Sequence, residues 1–288
     1  MIPSRGMALL VLILVAVSAA GGYAAGRLVV VPAFAAAGGG APDARPRWND
    51  AALAYARKVE STPGWVTVLE YHEVLPQPTP GDVYVISSAV FDRQMTTLAS
   101  SGRPVITVAR MARDLLRQQV PRGAVVITFD DGYEGVFANA WPMLHSLGLP
   151  ATCFVIGVDT YVPSVGAGHL TLAQLRQLQA SGWDMESHSF NLHSPSPLDF
   201  GNAPAWYAAQ DLALEDHLLR SIGNADPVAF AYPNAGATPA NVAAAQRRYL
   251  LAFVEDPPGG AYRDSPYAWP RVLVSEASHM RAILAGDH

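Results

Sequence analysis

The sequence predicts an α/β fold in which mostly parallel strands form a barrel covered by helices. From residue 65 onward, apolar runs of strand length alternate with helical patterns. About seven strand–helix units fit into roughly 220 residues, which suits a closed barrel better than an open sheet. The composition supports one sizeable core, since 50% of the 288 residues are hydrophobic and 15% are charged.

The first 32 residues differ from the rest of the chain. Arg5 precedes an uncharged, mostly apolar run over residues 7–26. This is the pattern of an export signal, and its length is close to the roughly 20 residues of a membrane-spanning helix. We therefore expect a signal peptide or membrane anchor at residues 1–32. The protein would be exported from a bacterial cytoplasm and be periplasmic, membrane-anchored or extracellular.

Residues 33–64 are predicted to be a linker and lead-in. The stretch "AFAAAGGGAPDARP" consists largely of small residues that cannot pack a core. The single folded domain is assigned to residues 65–288, with its start near Trp48 or Trp65.

The strands and helices of this domain follow from apolar runs, helical periodicity and end signals. Thr171 can cap a helix that ends at Gly182, Gly102 stops another helix, and Pro239 suits a first helical turn. Strands are predicted at 66–71, 104–108, 124–129, 151–156, 183–187, 228–232, 250–254 and 271–274. Helices are predicted at 90–102, 109–119, 134–147, 172–182, 204–222 and 238–249, with a short one after Ser275.

Charge and cysteine content exclude some classes of function. The net charge is −5 and no long basic run occurs, so nucleic acid is not an expected partner. The one cysteine, Cys153, allows no intrachain disulfide and is expected to be a small buried apolar residue. We expect a monomer, with a membrane contact only if the N-terminal segment is retained.

Polar residues follow four of the predicted strands. His72 follows "VTVLEY", Asp130 and Asp131 follow "AVVITF", and His188 follows "WDMES". After "VAFAY" comes the pair at 233–234, a proline and an asparagine. Because the carboxyl ends of parallel strands lie on one side of the sheet, these residues are expected to converge in one site.

The residue types indicate a metal site. The neighbouring carboxylates of Asp130 and Asp131 repel each other, and a cation can hold both ionised. Imidazole nitrogen and carboxylate oxygen ligate zinc and similar metals, so Asp131, His188 and His193 could hold one divalent ion and leave a position for water. Zinc is the first choice, and cobalt, nickel and iron fit the same ligands.

The spacing of the two histidines is unusual. His188 and His193 are five positions apart, which matches neither the four-residue repeat of a helical site nor the even spacing of one strand face. We therefore expect His188 at the end of a strand and His193 on the loop that follows.

The motifs "TFDDG", "SHSFNLH" and "FAYPNAG" resemble those of the polysaccharide deacetylases of carbohydrate esterase family 4, over roughly residues 65–275. The resemblance implies a distorted (β/α)7 barrel, a divalent metal and removal of acetyl groups from glycans. The wide histidine gap, "LEYHEV" and "WPRV" are similar to the circularly permuted subgroup that deacetylates poly-β-1,6-N-acetylglucosamine. That subgroup implies an exported β-linked N-acetylglucosamine polymer as substrate.

The resemblance also implies roles for individual residues. Asp130 would be the general base and His72 the general acid. A backbone N–H beside Tyr232, in the segment with Pro233 and Asn234, would contact the oxyanion or substrate. Arg271 would balance the charge of Asp130, a surface salt bridge being the alternative.

Several aromatic residues are candidates for stacking on sugar rings, because aromatic faces suit the apolar faces of pyranose rings. Most of them are expected in the core instead. The candidates are Tyr133, Trp141, Tyr161, Trp206 and Trp269.

Two other functions remain open from the sequence. One is a barrel-fold glycoside hydrolase, although such enzymes place two carboxylates on opposite sides of the scissile bond, unlike the adjacent Asp130 and Asp131. The other is a non-catalytic glycan-binding protein. Sensitivity to a chelator separates the first from a metal-dependent deacetylase.

Overall fold

A computed structural model describes residues 11–16, 26–31, 48–77, 80–161, 168–193, 200–235, 237–255 and 265–286. Strands β1 (Val11–Ala16) and β2 (Gly26–Val31) form an antiparallel pair. No helix among these residues is long and apolar enough to cross a membrane. The leader or anchor at residues 1–32 stays a prediction, and residues 33–47 of the predicted linker lie outside the described part of the chain.

Helices surround the barrel, and most begin at a side-chain cap. The helices are α1 (Asp50–Ser61), α2 (Ser88–Ser100), α3 (Val108–Leu116), α4 (Trp141–Leu147), α5 (Leu172–Ala180), α6 (Ala205–Ser221), α7 (Pro239–Gln246) and α8 (Met280–Ala285). Thr171 caps α5 with a complete capping box. Four other helices begin at the capping side chains of Asn49, Ser87, Thr107 and Thr238.

Seven parallel strands close into a barrel. The barrel strands are β3 (Val66–Tyr71), β6 (Ala124–Phe129), β7 (Thr152–Val155), β8 (Asp184–Ser187), β9 (Ala229–Ala231), β10 (Leu251–Glu255) and β11 (Trp269–Leu273). Their order is β10-β11-β3-β6-β7-β8-β9, and β9 pairs with β10 to complete the ring. The predicted distorted (β/α)7 barrel is confirmed.

One predicted strand is wrong. Residues 104–108 make only a single bridge, between Val105 and Val125, and α3 already begins at Val108. The second edge of β6 pairs with β7 only at Thr128 and Phe129. Residues 104–106 bond to Val125 on the short remaining part of that edge, and the chain then turns into α3, so no continuous strand forms.

The packed unit includes residues before Trp65. In α1, Ala56 and Val59 are buried in the same apolar cluster as Trp65. The indole N–H of Trp48 donates to the carbonyl of Leu250 at 2.9 Å. The described part of the lead-in therefore contains a helix that packs on the barrel.

A small parallel pair lies beside the barrel, and no sequence pattern predicts it. It consists of β4 (Glu73–Leu75) and β5 (Val85–Ser87). The pair directly follows β3, and the loop between its strands carries Tyr84, which is 43% exposed. This pair brings additional side chains to the carboxyl end of the barrel.

Candidate active site

The two aspartates occupy a sharp turn after β6. The Asp130 N–H continues the barrel ladder by donating to the Tyr71 carbonyl at 2.9 Å. Asp131 and Gly132 then both adopt left-handed backbone conformations, with φ of 67° and 74°. A non-glycine residue in this region is strained by about 1–3 kcal/mol, and such strain is often kept at functional sites. The turn places both carboxylates at the carboxyl end of the barrel.

The two histidines face the same oxygen of Asp131. His188 lies directly after β8, and His193 lies on the following loop, as their spacing predicts. The Nε2 atom of each imidazole is 3.3 Å from Asp131 Oδ1. His188 Nδ1 is 2.9 Å from the Ala231 carbonyl, which accepts only from a protonated nitrogen. In the neutral ring Nε2 therefore carries the lone pair that faces Asp131.

These three residues fit a divalent metal ion. Their ligand atoms all lie within 4.8 Å of one another. Asp131 Oδ1 is buried and has no hydrogen-bond partner among the described residues. Burial opposes ionisation of Asp131, but the two histidines more than offset this and hold the pKa of Asp131 below its ordinary value. Two imidazole nitrogens and one carboxylate oxygen form a ligand set typical of catalytic zinc sites.

Arg271 contacts Asp130 through two hydrogen bonds. Its Nη1 and Nη2 donate to Asp130 Oδ1 and Oδ2, each at 2.6 Å. The side chains of Arg271 and Asp130 are 1% and 2% exposed, so the pair is shielded from water. Burial alone would raise the pKa of Asp130, but the guanidinium and His188 hold it below its ordinary value. Asp130 is therefore ionised at neutral pH.

Glu70 lies on the other side of the same guanidinium. Its Oε2 is 3.1 Å from Arg271 Nε. Burial raises the pKa of Glu70 to about 8, although Arg271 lowers it. Burial therefore favours the neutral form of Glu70, whereas Asp130 holds the two hydrogen bonds to the Arg271 guanidinium.

His72 follows β3 and lies near the acidic groups. Its Nε2 is 3.8 Å from Glu70 Oε1, and its ring contacts Tyr84 with a centroid distance of 4.6 Å. Burial lowers the pKa of His72, while Asp130 and Asp131 act in the opposite direction. Its Nδ1 is buried and has no hydrogen-bond partner within the described part of the chain.

All of these side chains line one cavity of about 470 Å³. Sequence reasoning missed several lining residues. Glu70 could have been found as a charge inside the apolar strand "VTVLEY", whereas nothing in the sequence marks the loop that carries Tyr84. The lining residues that were not predicted are Glu70, Glu73, Leu75, Asp82, Tyr84, Val85 and Glu255.

The segment after β9 differs in part from the prediction. The Tyr232 N–H donates to the Phe253 carbonyl at 3.0 Å, so the barrel ladder uses this donor. Pro233 has no N–H to offer. Tyr232 and Asn234 line the cavity, and Asn234 adopts a left-handed conformation with φ of 52°. Asn234 is therefore the better placed of the three for a substrate contact.

The candidate stacking residues are dispersed. Tyr133 lines the cavity, whereas Trp141, Tyr161 and Trp206 do not. Trp269 is 3% exposed within the apolar core, so its assignment as a stacking surface is wrong. The reason is that β11 points this ring into the packed interior, where no sugar can reach it. Of the predicted set, Tyr133 alone keeps a position that suits sugar stacking.

Comparisons with known proteins agree with this geometry. Residues 117–254 match the family model for polysaccharide deacetylase. The Bacillus subtilis protein YxkH, whose name describes it provisionally as a polysaccharide deacetylase, is 26% identical over 235 residues, covering 78% of this chain and 79% of that protein. A Staphylococcus epidermidis poly-β-1,6-N-acetyl-D-glucosamine N-deacetylase is 26% identical over 157 residues, covering 52% of this chain and 54% of that protein.

Solved structures have the same fold. IcaB from Ammonifex degensii superposes with a TM-score of 0.64 at 26% identity, covering 79% of this chain and 98% of that one. The Streptococcus pyogenes deacetylase PplD superposes with a TM-score of 0.68 at 20% identity, covering 79% of this chain and all of that one. The match over residues 117–254 and the shared barrel fold both agree with the resemblance to polysaccharide deacetylases.

Proposed function

We propose that this protein is a metal-dependent hydrolase that removes N-acetyl groups from an exported polysaccharide of β-linked N-acetylglucosamine. The observation that carries the proposal is one cavity lined by a metal ligand set, a buried carboxylate paired with arginine, and a histidine. The names of the staphylococcal relatives support the choice of glycan. The apolar N-terminal segment supports export.

Asp131, His188 and His193 would hold the metal ion. Zinc is the first choice for these ligands, with cobalt, nickel and iron as alternatives. A divalent ion in such a site polarises a carbonyl group and lowers the pKa of water.

Asp130 would act as the general base. Its carboxylate lies beside the ligand set, with Oδ2 3.9 Å from His188 Nε2. Arg271 keeps it ionised and fixes its orientation through two hydrogen bonds. In this position Asp130 can accept a proton from the water that attacks the acetyl carbonyl.

His72 would act as the general acid. It follows β3, the strand beside β6, and therefore reaches the cavity next to Asp130. Its protonated ring would donate to the nitrogen of the leaving amine. Burial lowers the pKa of His72, and the negative charges of Asp130 and Asp131 offset part of that effect. Asn234 would contact the acetyl group or the sugar from the segment after β9.

Acetate release from a panel of acetylated glycans, with and without chelator, tests the proposal. We expect Asp130→Asn to retain metal but lose turnover, and His72→Ala to lose at least about 10²-fold in rate. His193→Ala should lower metal content, whereas His145→Ala, which removes an exposed histidine on α4, should not. Release of reducing sugar ends instead of acetate, unchanged by the chelator, would favour the glycoside hydrolase. Full metal content in His193→Ala would remove it from the ligand set.

A further inference from the structure

The loop between the two histidines has an unusual path. Ser189 adopts a left-handed conformation with φ of 76°, which turns the chain sharply after His188. Its carbonyl accepts from the Gly157 N–H at 3.1 Å, and its hydroxyl accepts from the Leu192 N–H at 3.2 Å. The loop is therefore held by specific hydrogen bonds, as expected for a segment that positions a ligand.

Asp211, on α6, accepts two further N–H groups at the centre of this loop. Its Oδ1 accepts from Phe190 at 2.7 Å, and its Oδ2 accepts from Asn191 at 2.8 Å. Asp211 is 3% exposed, so water does not compete for these bonds. One carboxylate thus fixes two consecutive peptide groups between His188 and His193, and we call this pair of hydrogen bonds the Asp211 clamp.

We propose that Asp211 is a positioning residue that holds His193 in place for metal binding. It does not line the cavity, and it acts through the backbone of residues 190 and 191. Without it these two N–H groups would lose their partner, and the loop would leave its present path. The inference rests on the proposed metal site.

Zinc affinity of the full chain tests this role, measured by competition with a chromophoric chelator. Asn in place of Asp211 offers one acceptor oxygen instead of two, so Asp211→Asn should weaken zinc binding about 10- to 100-fold, the usual effect of losing a group that orients a ligand. Excess zinc should restore acetate release.

Asp184→Asn is the matched control. Asp184 is also a buried carboxylate, 6% exposed, and it accepts the Ala109 N–H at 2.8 Å near the amino end of β8. Both variants should lower thermal stability, but only Asp211→Asn should change zinc affinity. Equal zinc affinity in the two variants would overturn the proposal.

Hydrogen exchange on the unmodified chain gives a test that needs no variant. The amides of residues 190 and 191 should be strongly protected even without zinc. If the amides of residues 190 and 191 exchange as fast as those of exposed loops, the proposed role of the Asp211 clamp is wrong. Normal zinc affinity in His193→Ala would refute the proposed ligand set itself. Normal zinc affinity in Asp211→Asn, together with weak binding in His193→Ala, would refute only the role of Asp211.

Discussion

Replacing Arg271 by methionine tests how Asp130, the proposed general base, is kept ionised. Methionine is a long side chain without charge, so both hydrogen bonds to Asp130, each 2.6 Å long, would be lost. Burial would then dominate, and the pKa of Asp130 would rise above its ordinary value. A neutral Asp130 cannot accept a proton.

The expected losses of stability and of rate in Arg271→Met follow from the burial of its ion pair with Asp130. Removing one partner of a buried ion pair costs about 3–5 kcal/mol of stability because the other charge is left unpaired. Loss of a general base lowers the rate by about 10²- to 10⁴-fold. In the unmodified chain the low pKa of Asp130 stabilises the fold above about pH 4, and this contribution is lost only in stronger acid. In Arg271→Met the sign reverses, so stability falls as pH rises through the raised pKa.

Urea unfolding and the pH dependence of kcat/KM measure both effects. The acid limb of the rate profile should move to higher pH in Arg271→Met. Arg110→Met is the control: Arg110 is 53% exposed and pairs at 2.5 Å with the buried Asp114, which also accepts from Gln119, so its loss should lower stability without moving the rate profile. An unchanged rate profile in Arg271→Met would refute the reasoning.

Two further predictions concern the cavity rim and the barrel interior. Tyr84→Ala should raise KM roughly 2- to 12-fold if the ring contributes about 0.5–1.5 kcal/mol to sugar binding, whereas Tyr84→Phe should not; steady-state kinetics would decide. Burial raises the pKa of Glu186 well above its ordinary value and that of Asp184 to about 6. For both groups the contribution to stability is most favourable below about pH 4 and falls as pH rises. In Glu186→Gln the free energy of unfolding, measured with urea, should fall less steeply between about pH 5 and pH 9.

The sequence predicts the barrel well where local signals and packing agree. The predicted bounds of β3 and β6 match the structure because long apolar runs end at polar residues. The histidine spacing correctly placed His188 after a strand and His193 on a loop. Residues 104–108 have the same apolar signal, but only a short part of the β6 edge is left beside β7 and α3 begins at Val108, which no local pattern reveals.

The rest of the site depends on contacts distant in sequence. Tyr84 reaches the cavity only because β4 and β5 pair beside the barrel. The hydrogen bond from the Tyr232 N–H to the Phe253 carbonyl depends on the register between β9 and β10. Asp211 lies on a helix whose pattern gives no hint that it contacts the loop at residues 190 and 191.

The position of β11 has a consequence for how the protein is made. It is the last barrel strand along the sequence, yet it lies between β10 and β3, the first barrel strand. A growing chain therefore cannot close the ring until residues 269–273 have been synthesised. Until then Asp130 lacks Arg271, and one edge of β3 has no partner strand. Asp130, the proposed base, thus gains its counter-charge in the same step that closes the barrel, so an incompletely synthesised chain would lack the complete site.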